Sequence, residues 1–220
     1  MPARSVLSQE LHTSNLLRHF LEKHTGERLY FRDLLDNIGD VLPNGESVHS
    51  RIFAFVLLLC ALPEALPLPI AGVSTIIGIP LIIVSAQLFL GFSKPWLPGW
   101  IADHSMKRTH FAKFLHKILP TLEKFESLIR PRWKFVTIPI AQRILGLLFL
   151  ILAIVIALPI PFGNLPPAIA IVIISLGMIE QDGVVIILGA LGACLVLGIM
   201  ASAIAAFFSI VVTIIRHHFN

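Results

Sequence analysis

Residues 51–91 read RIFAFVLLLCALPEALPLPIAGVSTIIGIPLIIVSAQLFLG, and Glu64 is the one ionised side chain between Arg51 and Gly91. So long an apolar run, broken by prolines, reads as membrane-embedded helix rather than soluble core. From Arg51 to Leu66 a helix of about 15 residues would reach roughly 22 Å, short of the roughly 30 Å hydrocarbon layer. Pro67 and Pro69 lack the N–H that would continue it. The chain then turns and runs back through Ile70–Leu90, with an interruption expected at Gly78-Ile79-Pro80. The unit is a helical hairpin whose proline turn lies at or inside the far membrane face.

Working outward, the same pattern recurs at an offset of 92 residues. Arg51 falls on Arg143, Leu66-Pro67-Leu68-Pro69 on Leu158-Pro159-Ile160-Pro161, and Gly91 on Gly183. The second hairpin is expected as a helix over 144–158, a proline turn over 159–167 and a return helix to Ile179. Irregular backbone at membrane depth must be buried in protein or face water. The turns at Pro67, Pro69, Pro159 and Pro161 are therefore expected to pack together or to line a cavity.

Composition agrees: 56% of residues are hydrophobic and 14% charged, where a soluble domain carries about 25% charged. The third apolar run, Gly183–Ile215, is too long for a simple crossing, and must either project or break near Gly198. Along it Ala190, Cys194, Gly198, Ser202 and Ala206 recur every fourth residue. Such a small-residue stripe permits close helix contact, within the chain or in a homodimer.

The expected fold class is an all-α integral membrane protein: two repeated proline-turned hairpins, open to a re-entrant arrangement, a C-terminal membrane segment and amphipathic cytoplasmic helices. Its divisions are an N-terminal amphipathic arm (1–50), a first hairpin (51–92), a basic amphipathic segment (93–142), and a second hairpin with the C-terminal membrane segment (143–220). The arm has no apolar leader and should form two short helices, around Leu16–Leu21 and Phe31–Ile38. Bases outnumber acids strongly between Phe92 and Arg143, which places that segment in the cytoplasm by the positive-inside rule.

Within it Phe111, Phe114, Leu115, Ile118, Leu122 and Phe125 form one helical face, with Lys113 and Lys117 between them. This helix can lie in the membrane interface with its lysines toward anionic headgroups, or pack on the protein's own cytoplasmic face. Trp96, Trp100 and Trp133 flank the segment as an aromatic belt would. Arg51 and Arg143 are expected to reach phosphate level. The bases thus point to anionic lipids and not to nucleic acid.

Glu64, Gln87 and Asn164 are the polar candidates for a cavity between the hairpins, since polar groups within membrane segments are costly. Glu64 is read either as a cavity carboxylate or as a residue exposed at the far surface. Metal, cofactor and catalytic signatures are not found: there is no HExxH, GxSxG or phosphate loop, and neither Cys60 nor Cys194 has ligand neighbours. A non-enzymatic role is expected.

Several motifs resemble the ExoD family of bacterial exopolysaccharide-synthesis proteins. They are Glu27–Asp36, Ala61-Leu62-Pro63 with Leu66–Pro69, Gly72–Leu81 followed by Gln87 and Gly91, Lys94-Pro95-Trp96-Leu97-Pro98, and Leu158–Asn164. One departure is that Val41–Ser50 separates Gly39-Asp40 from Arg51, where the family brings a Gly-acid-Arg element directly before the first membrane helix. The resemblance implies a bacterial inner-membrane protein that supports exopolysaccharide production, and it carries over no catalytic residue. Two alternatives stand beside it. One is a transporter or lipid-handling protein with a site between the LPxP hairpins. The other is a membrane-surface organiser acting through the basic segment.

Overall fold

The structure, a computed structural model, describes residues 14–15, 18, 28–30, 48–65, 73–99, 105–127, 129, 138–158 and 163–218. Pro67, Pro69, Pro159, Pro161, Trp100, Trp133 and most of the 1–50 arm lie outside the described residues. Six helices are described: α1 (Val48–Ala61), α2 (Val73–Leu90), α3 (Arg108–Glu126), α4 (Pro139–Ala157), α5 (Leu165–Ile179) and α6 (Gly183–His218). Two short strands, β1 (Arg28–Tyr30) and β2 (Ser105–Lys107), pair antiparallel with Arg28 opposite Lys107.

Helix α1 stops earlier than its LPxP element suggests. Regular helix ends at Ala61, two residues before Pro63, whose ring cannot sit behind the carbonyl four residues back. A final turn follows, with Leu62 N–H donating to Leu58 O (2.8 Å) and Ala65 N–H to Ala61 O (3.0 Å). In α2 the expected interruption does not occur: the helix continues through Gly78 and Pro80. Gly78 serves packing instead. A Cβ there would lie 2.9 Å from the Cβ of Ala157 on α4.

α1, α2, α4 and α5 contact one another in a ring. The larger contacts are not between helices consecutive in the chain: α2 packs on α4 and α1 on α5 more extensively than α1 on α2 or α4 on α5. α2 and α4 run antiparallel, because Gly78 meets Ala157 while Phe89 meets Gly146. Every residue from Ile52 to Leu62 is buried. The run that reads as the plainest membrane helix is therefore enclosed by protein on all sides.

α4 faces outward. Ile140 (69% exposed), Ile144 (64%), Leu147, Ile151, Ile154 and Leu158 form one exposed stripe along its whole length. Leu145, Phe149, Leu152 and Ile156 form the opposite, buried stripe. A helix apolar on both faces is stable only where its outer face also avoids water. α4 and the Gly183–Ala206 part of α6 are long and apolar enough to cross a membrane.

α6 is one unbroken helix of 36 residues, about 54 Å long, with no break at Gly198. Its first half runs antiparallel along α5, where Gly177 abuts Ile186 and Gly189 abuts Ile174. Beyond that it projects, and Ala201–Ala206, Phe208, Ser209, Val212, Thr213 and Arg216 are exposed. Of the small-residue stripe, Ala190 is half-buried, and Cys194, Gly198, Ser202 and Ala206 are exposed.

The basic helix α3 differs from its interface-lying reading. Leu115, Ile118, Leu119 and Leu122 are all buried in protein and so are not available to lipid, while Phe125, at the end of this face, is exposed. Lys113 and Lys117 remain exposed on the other side. Among the described residues, α3 and its flank are joined to the N-terminal arm by the β1–β2 pair and an ion pair between Arg18 and Glu123. The two polar segments, far apart in sequence, form one layer.

Both return helices end in the same local structure. Gly91, at φ 81, closes α2, with Phe92 N–H donating to Gln87 O (3.0 Å) and Gly91 N–H to Leu88 O (3.1 Å). Gln181, at φ 58, closes α5, with Asp182 N–H donating to Gly177 O (2.8 Å). These are left-handed helix caps of the Schellman type. Gly91 and Gly183, matched in sequence, thus do different work: Gly183 is the first residue of α6.

The carboxylate of Asp182 then starts α6. It is buried, and accepts from Val184 N–H (2.9 Å) and, at longer range, Val185 N–H (3.4 Å). Asp182→Ala should cost about 1–2 kcal/mol, read as a lowered unfolding temperature in detergent, and Asp182→Asn should restore most of it. Equal stability of all three proteins would show that the cap contributes nothing.

Candidate functional site

The ring has two ends. The starts of α1 and α4 and the ends of α2 and α5 lie at one; the ends of α1 and α4 and the starts of α2 and α5 lie at the other, the turn end. This antiparallel arrangement separates the three polar candidates. Glu64 follows the end of α1 and Asn164 precedes α5, so both belong to the turn end. Gln87 lies three residues before the end of α2, at the opposite end. A single cavity shared by Glu64, Gln87 and Asn164 is not formed.

At the turn end, Glu64 is half-buried. Asn164 holds the position before α5 without capping it, and its Oδ1 is buried with no hydrogen-bond partner.

Gln87 has a local task. Its side-chain amide donates to the carbonyl of Trp96 (2.6 Å) and accepts from the Trp96 N–H (2.7 Å). The amide thus pairs with main chain as a β-strand neighbour would. It pins the Lys94–Pro98 loop across the end of α2, with the Trp96 side chain exposed. The sequence contains both partners, but their pairing over nine residues is a product of the turn at Gly91.

Arg51 and Arg143, matched in sequence, stand at this same end in different surroundings. Arg51 is half-buried, its Nε has no hydrogen-bond partner, and Glu180 attracts its charge. It therefore does not simply extend to headgroup level. Arg143 is exposed, and its guanidinium lies over Gly91. A Cβ on Gly91 would be 2.9 Å from Nη2 and 3.0 Å from Nε, so the absence of a side chain at Gly91 is what admits it.

Two buried hydroxyls escaped the sequence reading. Ser85 on α2 and Ser175 on α5 are fully buried and without a hydrogen-bond partner. Each lies six residues before the left-handed cap of its helix, a relation visible only once both caps are known. Among the described residues, no group of three His, Cys, Asp or Glu side chains could hold a metal ion.

No solved structure matches the chain. It is 34% identical over 166 residues to an uncharacterised protein of Synechocystis sp., covering 75% of this chain and 78% of that one. It is 29% identical over 177 residues to Protein ExoD of Rhizobium meliloti, covering 79% of this chain and 69% of that one. The family model described as exopolysaccharide synthesis, ExoD, matches residues 13–202, and with that match over most of its length the chain belongs to the ExoD family.

Proposed function

We propose that this protein is an integral component of the bacterial inner membrane that supports exopolysaccharide production without catalysing a reaction itself. Family membership carries the polysaccharide part of this reading. The membrane part is supported by α4 and α6, two long apolar helices whose apolar faces are largely uncovered. The polar layer of arm and α3 is cytoplasmic in this reading, because of its excess of bases.

The membrane unit is a duplicated hairpin. Support comes from the cross-hairpin packing, in which α1 and α4 play equivalent parts, as do α2 and α5. The register is 92 in the first helices (Arg51 with Arg143) and 90 in the return helices (Ser85 with Ser175, Gly91 with Gln181). The second turn is then two residues shorter. Repeats that begin on one side of the membrane are related by an axis along its normal. The membrane-surface organiser is disfavoured, since the buried face of α3 cannot enter the interface. The transporter reading loses its shared site, since Glu64 and Gln87 are at opposite ends.

Deleting the gene should lower exopolysaccharide yield, and the wild-type gene should restore it. Accessibility labelling in whole cells should find Lys23 and Lys117 both protected, and becoming reactive together on lysis. Unchanged polysaccharide in the deletion strain would sink the functional reading. Labelling of either lysine in intact cells would sink the orientation.

A further inference from the structure

We propose that Arg143 holds the phosphodiester of an anionic phospholipid, while its counterpart Arg51 is internal. The proposal rests on the membrane reading above and separates two residues that the sequence treats alike.

Each arginine lies in the first turns of the first helix of its hairpin, and each lies near the end of the other hairpin's return helix. The ends differ. The end of α5 carries Glu180 and Asp182, and Glu180 attracts Arg51. The matching positions at the end of α2 are Leu90 and Phe92, both exposed, at 64% and 55%. Among the described residues no carboxylate pairs with Arg143. Its fork is set over Gly91 at the carbonyl end of α2, where the helix dipole favours a cation. The side chain is exposed there, so its donors remain accessible from outside.

The surroundings select the anion. Leu90, Phe92, Ile140 and Ile144 are all exposed around this end of α2 and α4. Exposed apolar side chains beside an accessible guanidinium match an amphiphile: acyl chain and glycerol against the side chains, phosphate on the planar fork. Exposed Lys94 adds positive charge in the loop pinned by Gln87. A free phosphate gains nothing from the apolar flanks.

The test uses the full chain in nanodiscs of phosphatidylcholine, titrated with brominated phosphatidylglycerol that quenches tryptophan fluorescence. Arg143→Gln should weaken phosphatidylglycerol binding about fivefold, as expected for one cation at a membrane surface. Arg143→Lys should lose part of that affinity, because it keeps the charge without the fork. Arg51→Gln should leave the affinity within about twofold while lowering the unfolding temperature. Inorganic phosphate should not compete. Unchanged binding by Arg143→Gln, equal loss in Arg51→Gln, or full competition by inorganic phosphate would overturn the proposal. Resistance to carbonate extraction checks the membrane reading separately: release of the wild-type protein would refute that reading itself.

Discussion

Gly146→Ala should destabilise the protein by about 2 kcal/mol, although alanine is the better helix former by about 1 kcal/mol. The added Cβ would lie 2.4 Å from Phe89 N, 2.8 Å from Phe89 Cα and 2.9 Å from Leu88 C. All three are backbone atoms, so no rotamer change relieves the contact. α2 and α4 must move apart, and theirs is the most extensive contact among the described helices. Dispersion contacts are lost along the whole interface, since even a gap of 0.5–1 Å forfeits roughly a quarter to a half of each.

Gly198→Ala is the control. Nothing lies within 4 Å of a Cβ there, so only helix propensity acts, and a gain of up to about 1 kcal/mol is expected. Thermal unfolding in one detergent reads both variants. The same sign of shift in the two would refute the close approach of α2 and α4.

Gln87→Leu should cost about 2 kcal/mol and free the Lys94–Pro98 loop. Two short hydrogen bonds to the Trp96 main chain are lost, and a partly buried N–H and carbonyl are left to find water. Gln87→Glu should fall between, since a carboxylate still accepts from the Trp96 N–H but repels its carbonyl. Limited proteolysis of the loop reads the local effect, and the unfolding temperature reads the global one. If Gln87→Leu left both unchanged, Gln87 would not be a clamp. The prediction distinguishes this residue from a cavity-lining one, whose loss would leave the loop protected.

Much of the fold is legible in the residues. Hydrophobic runs without charge mark the helices; Pro166 and Pro167, expected in the turn, instead open α5, because proline is tolerated in a first helical turn. Other features were misread for identifiable reasons. Pro63 ended α1 before Pro67 could, because the nearest ring acts first. Pro80 did not break α2, because its helix is held by packing on α4. Gln87 and Glu64 looked like members of one site, since both are polar residues in apolar sequence; the hairpin sets them at opposite ends.

The sequence by itself determined the apolar helices, the basic segment between them and the family. Local rules suffice for these, because charge, proline and apolar length act over a turn or two of helix. Only the tertiary structure decided which apolar faces are covered. α1 is the plainest membrane run, and it is enclosed by its neighbours; α4 and α6 face outward. α3 carries an amphipathic pattern suited to a membrane surface, and the middle of that face, Leu115 to Leu122, is buried in protein. Arg51 and Arg143 are the same residue, 92 positions apart in matching sequence, and their surroundings part them. In each case apolarity states that a side chain avoids water. What it meets instead, protein or lipid, depends on partners distant in sequence that no local pattern names.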